Sequence, residues 1–277
     1  MFSNYFFVPA SKERLIKKSE EIKGIDNRIF DFEDSVLSAD IESSLKLLEH
    51  VEKRETDWIR IPLLEDVFDK ILWTTIKMGY NNFIIPKFQS CEELDKYISE
   101  ILSANENSKF ILLIENPHVL VELEKILMKF EKYIHGVGLG SHDFSVKTGI
   151  KNDLEILRNI RLNILILAKA YNVEAIDVAS MNISNESDFK EEIVDGFNCG
   201  YRSKFLLHPF QLQVLNSFAF YTRDEIENYA KILKYYKNDV EGQDALFSYE
   251  GKVYEKMHIK QLKKIVNWGR NFYGADR

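Results

Sequence analysis

Eight short runs of apolar, β-branched or aromatic residues recur along the chain, and each ends at a polar or turn residue. They predict eight strands, at residues 5–9, 28–34, 57–62, 82–87, 109–116, 134–140, 174–178 and 204–209. Between them lie segments with apolar residues three and four apart, such as 120–133 and 157–171, a spacing typical of amphipathic helices. Strands that alternate with helices indicate βαβ units and a parallel sheet.

The number of predicted strands favours an α/β fold of the (β/α)8 TIM-barrel type with a C-terminal helical extension. A doubly wound sheet usually has fewer strands and a glycine-rich phosphate loop after the first, whereas here Pro9 and Ala10 follow it. The glycines of 136–140 have GxGxG spacing, which is not a dinucleotide fingerprint. We assign residues 1–210 to the barrel core and residues 211–277 to its last helix and an extension. The extension is predicted to contain a helix at 223–237, a hairpin around 249–252 and a helix at 259–270.

Composition narrows the classes of partner. The chain of 277 residues has 44 acidic and 37 basic side chains and a net charge of −7, which argues against nucleic-acid binding. Cys91 and Cys199 are far apart and form neither a disulfide framework nor zinc-like spacing. No stretch approaches the ~18 apolar residues of a membrane helix. We therefore expect a cytoplasmic protein with no nucleic-acid or membrane partner.

Charged residues gather where the predicted strands end. The carboxyl ends of barrel strands form the active site of α/β barrels, so these residues are candidates for one site. They are Asp31, Glu33 and Asp34 at the end of strand 2, Arg60 near the end of strand 3, Lys87 at the end of strand 4, Glu115 near the end of strand 5, and Ser141, His142 and Asp143 just after strand 6. Arg60, Lys87, Ser141 and His142 are the candidate substrate-binding residues. A further carboxylate, Asp177, lies near the end of strand 7.

Glu115 and Asp143 are the candidate metal ligands. Mg²⁺ prefers oxygen ligands and commonly takes one or two carboxylates, leaving water and substrate to complete its coordination. Glu115 follows a fully apolar strand, so its carboxylate needs a partner. The alternative is a buried salt bridge to a lysine or arginine, which the spacing does not exclude.

Arg60 is the candidate binder of a substrate carboxylate or a developing enolate, because a fixed guanidinium suits both. A structural bridge to Asp31 or Glu33 is the alternative. Asp31 and Glu33 share one face of a strand and Asp34 begins the loop. One of the three is expected to be a general acid or base, and the others to orient it or Arg60.

The ordered motifs resemble the citrate lyase β-subunit and malyl-CoA lyase branch of the Mg²⁺-dependent aldolase/citrate lyase (HpcH/HpaI) family. The resemblance extends from residue 6 to about 270 through FVPAS, IFDFEDSV, WIRI, FIIPK, LLIEN, GLGSHDFS, RLNILILAKAYNVEAIDV, GFNCGYRSKFLLHPFQL and EGKVYEKMHI. It implies metal binding by Glu115 and Asp143 and binding of substrate oxygens by Arg60. It further places the acidic residues of 31–34 at the active site and Lys87 in the family's Pro-Lys pair.

The resemblance also implies an activity: a carbon–carbon lyase that uses Mg²⁺ or Mn²⁺. Such an enzyme cleaves or forms a β-hydroxy acyl thioester of CoA or an acyl carrier and yields a 2-oxo acid. It further implies that the C-terminal segment packs on a neighbouring subunit of a homotrimer or hexamer. The chain departs from the family pattern at residues 38–45, 61–62, 200–204 and 255–258. Two alternatives stay open: an aldolase acting on a free hydroxy-oxo acid, and an inactive barrel that binds a ligand or partner.

Overall fold

A computed structural model describes residues 2–237 and 246–274, and of Asp66 it describes the backbone alone. The chain divides into two compact units, a barrel unit of residues 2–216 and a C-terminal unit from Ser217 onward. Within the described residues, no helix has the length and apolar character of a membrane-spanning segment.

The barrel unit contains eight parallel strands, which confirms the predicted fold class. They are β1 (Ser3–Pro9), β2 (Asn27–Asp31), β3 (Asp57–Arg60), β4 (Asn82–Ile85), β5 (Lys109–Ile114), β6 (Ile134–Leu139), β7 (Glu174–Ile176) and β8 (Ser203–Leu206). Each overlaps one predicted run, and they pair in the order β7-β6-β5-β4-β3-β2-β1-β8.

Helices connect the strands and cover the sheet. They are α1 (Glu13–Glu21), α2 (Ile41–Leu48), α3 (Glu65–Lys77), α4 (Cys91–Ala104), α5 (Pro117–Phe130), α6 (Ser141–Thr148), α7 (Arg158–Ala170), α8 (Glu186–Cys199) and α9 (Pro209–Ser217). Several start at side-chain caps; the side chains of Ser90 and Asn185, for example, accept hydrogen bonds from backbone N–H groups of the first turn.

The barrel interior is filled by one apolar cluster to which seven of the strands contribute. Its buried members are Tyr5, Ile29, Trp58, Ile84, Ile111, Leu113, Ile176 and Phe205. β6 contributes a glycine instead, which leaves room for a neighbouring ring: a Cβ at Gly138 would lie 2.4 Å from the ring of Phe205. This close approach requires glycine and explains part of the glycine pattern in residues 136–140.

β7 and β8 meet through a narrow seam that closes the sheet into a barrel. The N–H of Asp177 donates to the carbonyl of Ser203 at 2.8 Å, and the N–H of Phe205 donates to the carbonyl of Asp177 at 3.1 Å. The Ser203 hydroxyl adds a 3.0 Å bond to the carbonyl of Ala175. The ends of all eight strands are thereby brought around one mouth.

The C-terminal unit contains α10 (Arg223–Tyr235), the antiparallel hairpin β9 (Leu246–Tyr249) and β10 (Lys252–Glu255), and α11 (Lys256–Tyr273). The helices and the hairpin overlap their predicted positions. A capping box between Thr222 and Glu225 starts α10. The hairpin and both helices enclose a small core of their own around Ile232, Phe247 and Leu262. Packing of this unit on a neighbouring subunit stays a prediction.

Candidate active site

A cavity of about 370 Å³ opens at the carboxyl ends of the barrel strands. One wall is polar, and its charged and hydroxyl side chains are Asp31, Asp34, Arg60, Glu115, Ser141, His142 and Asp143. The other wall is apolar and includes Phe7, Leu113, Leu139, Met181, Phe205 and Leu207. Seven of the nine predicted site residues therefore line one cavity; Glu33 and Lys87 are not among its lining residues.

Arg60 is held rigidly by the acidic residues of the neighbouring strand. Its Nε and Nη2 donate to the two carboxylate oxygens of Asp31 at 2.6 and 2.8 Å. Its Nη1 lies 3.2 Å from Glu33 and its Nη2 lies 3.2 Å from Asp34. Because Arg60 lies in the last register pair of β2 and β3, opposite Asp31, the fork geometry follows directly from strand pairing. Arg60 thus forms the predicted salt bridge to Asp31 and also lines the cavity at the barrel mouth, as predicted.

Lys87 connects the two halves of the site. Its backbone is left-handed, with φ of 53°, which is unusual for a lysine. This conformation accompanies a 2.6 Å hydrogen bond from its N–H to the Glu115 carboxylate. Its Nζ reaches the opposite way, 2.7 Å from Asp34 and in contact with Glu33. Lys87 thus touches three carboxylates, and its contact with substrate stays a prediction.

Glu33 and Asp34 are neighbouring carboxyls, and each affects the pKa of the other. Burial raises the pKa of Glu33 to about 7, although Arg60 and Lys87 oppose the shift. Burial acts in the same sense on Asp34, but the hydrogen bond from Lys87 and the charge of Arg60 prevail and lower its pKa. Each carboxyl also acts on the other, so that Asp34 raises the pKa of Glu33 and Glu33 lowers the pKa of Asp34. The arrangement can hold one proton near neutral pH, with Asp34 facing the cavity and Glu33 behind it.

Glu115 is a buried carboxylate that forms no salt bridge with any of the described residues. It is 3% exposed, and its hydrogen bond comes from the backbone of Lys87. Gly140 packs directly against it, since a Cβ there would lie 2.3 Å from Glu115 Cγ. Burial raises the pKa of Glu115 to about 7, and the negative charge of Asp143 contributes to the rise. The predicted alternative, a buried salt bridge, is therefore not what holds Glu115.

The cavity fits a magnesium ion held by few protein ligands. Glu115 and Asp143 both line it and repel each other, a charge arrangement that a divalent cation relieves. No group of three or more His, Cys, Asp or Glu side chains in the described chain forms an enclosed metal site. Mg²⁺ does not need one, because it usually keeps several waters and takes one or two carboxylates. Ser141 and His142, in the first turn of α6, line the same wall.

The raised pKa of Glu115 predicts a pH-dependent stability of the metal-free protein. The folded state, with a pKa of about 7, binds the proton more tightly than the unfolded chain, whose value is near 4.5. The contribution to stability is therefore fully present below the unfolded pKa and is lost as the pH rises through 7. We expect the free energy of unfolding in chelator to fall between pH 5 and pH 8, by a few kcal/mol.

Thermal unfolding of wild type and Glu115→Gln from pH 5 to pH 8 checks this expectation. The glutamine variant keeps the dependence caused by Glu33, whose pKa is also raised to about 7, and should lose the part due to Glu115. Parallel pH profiles for the two proteins would contradict the assignment.

Asp177, which the sequence placed near the end of strand 7, belongs to a buried ion cluster instead of the cavity wall. Arg161 donates to one of its oxygens at 3.0 and 2.8 Å, and Lys204 Nζ lies 3.4 Å from the other. Arg161 also pairs with Asp195 at 2.6 Å. The signal was available: Arg161 lies on the apolar face of its helix, where a charge requires a buried partner.

Sequence comparison relates the chain to one protein family and to individual proteins whose names agree with it. A sequence model of the family described as HpcH/HpaI aldolase/citrate lyase matches residues 4–209. Citrate lyase subunit beta of Haemophilus influenzae is 26% identical over 276 residues, covering 94% of each chain. Human mitochondrial citramalyl-CoA lyase is 21% identical over 285 residues, covering 94% of this chain and 83% of its own.

A solved structure also shares the fold. CitE of Mycobacterium tuberculosis, in complex with magnesium, acetoacetate and coenzyme A, superposes with a TM-score of 0.78 at 18% identity. The similarity covers 96% of this chain and 97% of that one. At this identity it shows a common fold.

Proposed function

Because the chain belongs to the HpcH/HpaI aldolase/citrate lyase family, we propose that it is a Mg²⁺-dependent carbon–carbon lyase. Its substrate is a β-hydroxy acyl thioester of the citryl, malyl or citramalyl type, and its products are a 2-oxo acid and a shorter acyl thioester. The observation that carries the proposal is Glu115, a buried carboxylate beside Asp143 that forms no salt bridge with any described residue, although the charge of Arg60 acts to lower its pKa. Relatives named citrate lyase subunit beta and citramalyl-CoA lyase support the reaction class.

The carboxylate end of the substrate is bound between Arg60 and the metal ligands. Arg60 donates two hydrogen bonds, from Nε and Nη2, to the carboxylate of Asp31, and its contacts with Glu33 and Asp34 are ion pairs at 3.2 Å. The remaining N–H groups of the guanidinium are available to a substrate oxygen in the cavity that Arg60 lines. The first turn of α6 lies on the same wall, and a helix N-terminus favours an anion.

Glu115 and Asp143 would hold Mg²⁺ in this site. When bound, the ion supplies positive charge that polarises the hydroxyl, and later the carbonyl, of the 2-oxo acid half. The Lys87 N–H and the close contact with Gly140 keep the Glu115 carboxylate in one orientation. A ligand fixed in this way is preorganised.

The bond cleaved joins the hydroxyl-bearing carbon to the α-carbon of the thioester. Asp34, which lines the cavity, accepts the hydroxyl proton. Glu33 beside it, whose pKa burial raises to about 7, can take up that proton in turn. The electron pair of the broken bond moves to the thioester half as an enolate, which then takes up one proton at carbon. One proton leaves oxygen and one reaches carbon, so the reaction is balanced and redox-neutral.

The carrier, the assembly and the location follow from the same proposal. We propose coenzyme A or an acyl carrier as the thioester carrier, a homotrimer or hexamer as the assembly, and the cytoplasm as the location. The structure of CitE with coenzyme A supports the first of these.

The proposal is tested by following release of a 2-oxo acid from malyl-, citramalyl- and citryl-CoA with Mg²⁺ or with chelator. At least one thioester is expected to be cleaved, and chelator to abolish turnover until Mg²⁺ is restored. Unchanged turnover in chelator would overturn the metal dependence. Cleavage of a free hydroxy-oxo acid without cleavage of any thioester would indicate an aldolase instead. If no compound reacts and no 2-oxo acid stabilises the protein with Mg²⁺, the barrel is a ligand-binding module.

A further inference from the structure

The C-terminal unit has a groove of its own, of about 730 Å³, between α10 and α11. Two helix faces line it with the same spacing. Residues 230, 233, 234 and 237 face it from α10 and the turn that follows, and residues 263, 266, 267 and 270 face it from α11. Positions i, i+3, i+4 and i+7 lie on one side of a helix, so each helix presents one continuous wall.

The groove is cationic at its rim and apolar at its floor. Lys234, Lys237, Lys263 and Arg270 supply the charge, and Ala230, Leu233 and Val266 supply the apolar surface. No acidic side chain lines it among the described residues. This composition runs against that of the whole chain, which carries a net charge of −7.

The four cations are also unpaired within the described part of the chain. On the barrel helices, by contrast, Lys125 and Lys129 each lie 2.8 Å from a carboxylate. The sequence of α11 reinforces the difference, because its 18 residues include five basic and no acidic ones. A helix dipole favours cations near a C-terminal end, but Lys263 lies in the middle of α11. Helix stability alone therefore does not account for the charge cluster.

We propose that this groove binds a small molecule that carries two or more phosphate groups. Lysines attract phosphate as point charges, and the arginine fork can contact two phosphate oxygens at once. Seven residues of helix span about 10 Å, and the cavity volume lies within the range of small-molecule sites. An acidic protein partner would need a larger contact area than two helical turns offer. Among the described residues, the groove shares no lining residue with the barrel cavity, and the proposal does not depend on the proposed lyase activity.

The test is calorimetric titration of the full chain with pyrophosphate, ADP and adenosine, in chelator and at low salt. Pyrophosphate and ADP are expected to bind, more weakly as salt is added, and adenosine is expected not to bind. The double variant Lys234→Ala, Lys263→Ala should weaken binding at least about ten-fold, since charge-assisted hydrogen bonds are lost.

The matched control is Lys231→Ala, Lys264→Ala. Both lysines are exposed and do not line the groove; Lys231 lies three positions before Lys234, and Lys264 lies one position after Lys263. The control removes the same charge and should change binding less than about two-fold. Tighter binding of ADP than of pyrophosphate would identify a nucleotide-like source, and equal binding an inorganic one; both support a phosphate site. Absence of binding, equal weakening by the two double variants, or binding of adenosine would overturn it.

Discussion

Glu115→Gln is expected to reduce Mg²⁺-dependent turnover at least about a hundred-fold, because removal of a group that merely orients a metal ligand already costs ten- to a hundred-fold. The substitution keeps the size of the side chain and can still accept the hydrogen bond from the Lys87 N–H. It removes the charge that the metal would neutralise. The metal-free variant should be at least as stable as wild type above pH 7, since the buried charge is gone. Initial rates against Mg²⁺ concentration, together with thermal unfolding, measure both effects.

Glu124→Gln is the matched control for this experiment. Glu124 lies exposed on α5, away from the cavity, and the substitution changes the net charge by the same amount. It should leave turnover within about two-fold of wild type, as surface substitutions usually have small effects. Full Mg²⁺-dependent activity in Glu115→Gln, or an equal loss in Glu124→Gln, would contradict the assigned metal site.

Arg60→Ala is expected to lower the free energy of unfolding by about 3–5 kcal/mol, because it leaves buried carboxylates without their partner. Asp31, Glu33 and Asp34 all face this one guanidinium. Activity should be lost as well, but loss of folding would be sufficient to explain that result. Denaturant unfolding of the metal-free protein measures the change in stability.

Arg60→Lys separates the chemistry from the folding. A lysine retains the charge but cannot donate in fork geometry to Asp31 while also reaching a substrate oxygen. The expected fall in kcat/KM is about ten- to a hundred-fold, the range of one or two charged hydrogen bonds, with a smaller loss of stability than in Arg60→Ala. Arg14→Lys, at an exposed position of α1, is the control. Wild-type kcat/KM in Arg60→Lys would show that the guanidinium is structural only.

Much of this architecture is encoded locally and was therefore predictable. The strands consist of apolar or β-branched runs whose period differs from that of the helices, and each run forms a strand of the barrel. Because parallel strands present their carboxyl ends together, residues as distant as Arg60, Glu115 and Asp143 could be expected in one place, and all three line the cavity. Their chemical roles stay predictions.

The other features depend on contacts that spacing does not encode. Contact of Lys87 with substrate stays a prediction, but spacing did not indicate its left-handed backbone, its N–H bond to Glu115 or its side-chain bond to Asp34. Asp177 ends a strand as the catalytic candidates do, yet its partner Arg161 lies on a helix earlier in the chain. The sequence predicted α10 and α11 as helices, but it did not indicate that basic side chains of both helices line one groove.

The narrow seam between β7 and β8 determines how this barrel is closed. Elsewhere neighbouring barrel strands pair over two to five residues, but here two backbone hydrogen bonds centred on Asp177 make the join. The Asp177 side chain also pairs with Arg161, and Lys204 donates to the carbonyl of Val178 at 2.8 Å. A neutral substitution at Asp177 would retain the backbone groups of the join but would remove the buried partner of two cations beside it. The shape of the cavity mouth therefore depends in part on Asp177, Arg161 and Lys204, which do not line the cavity.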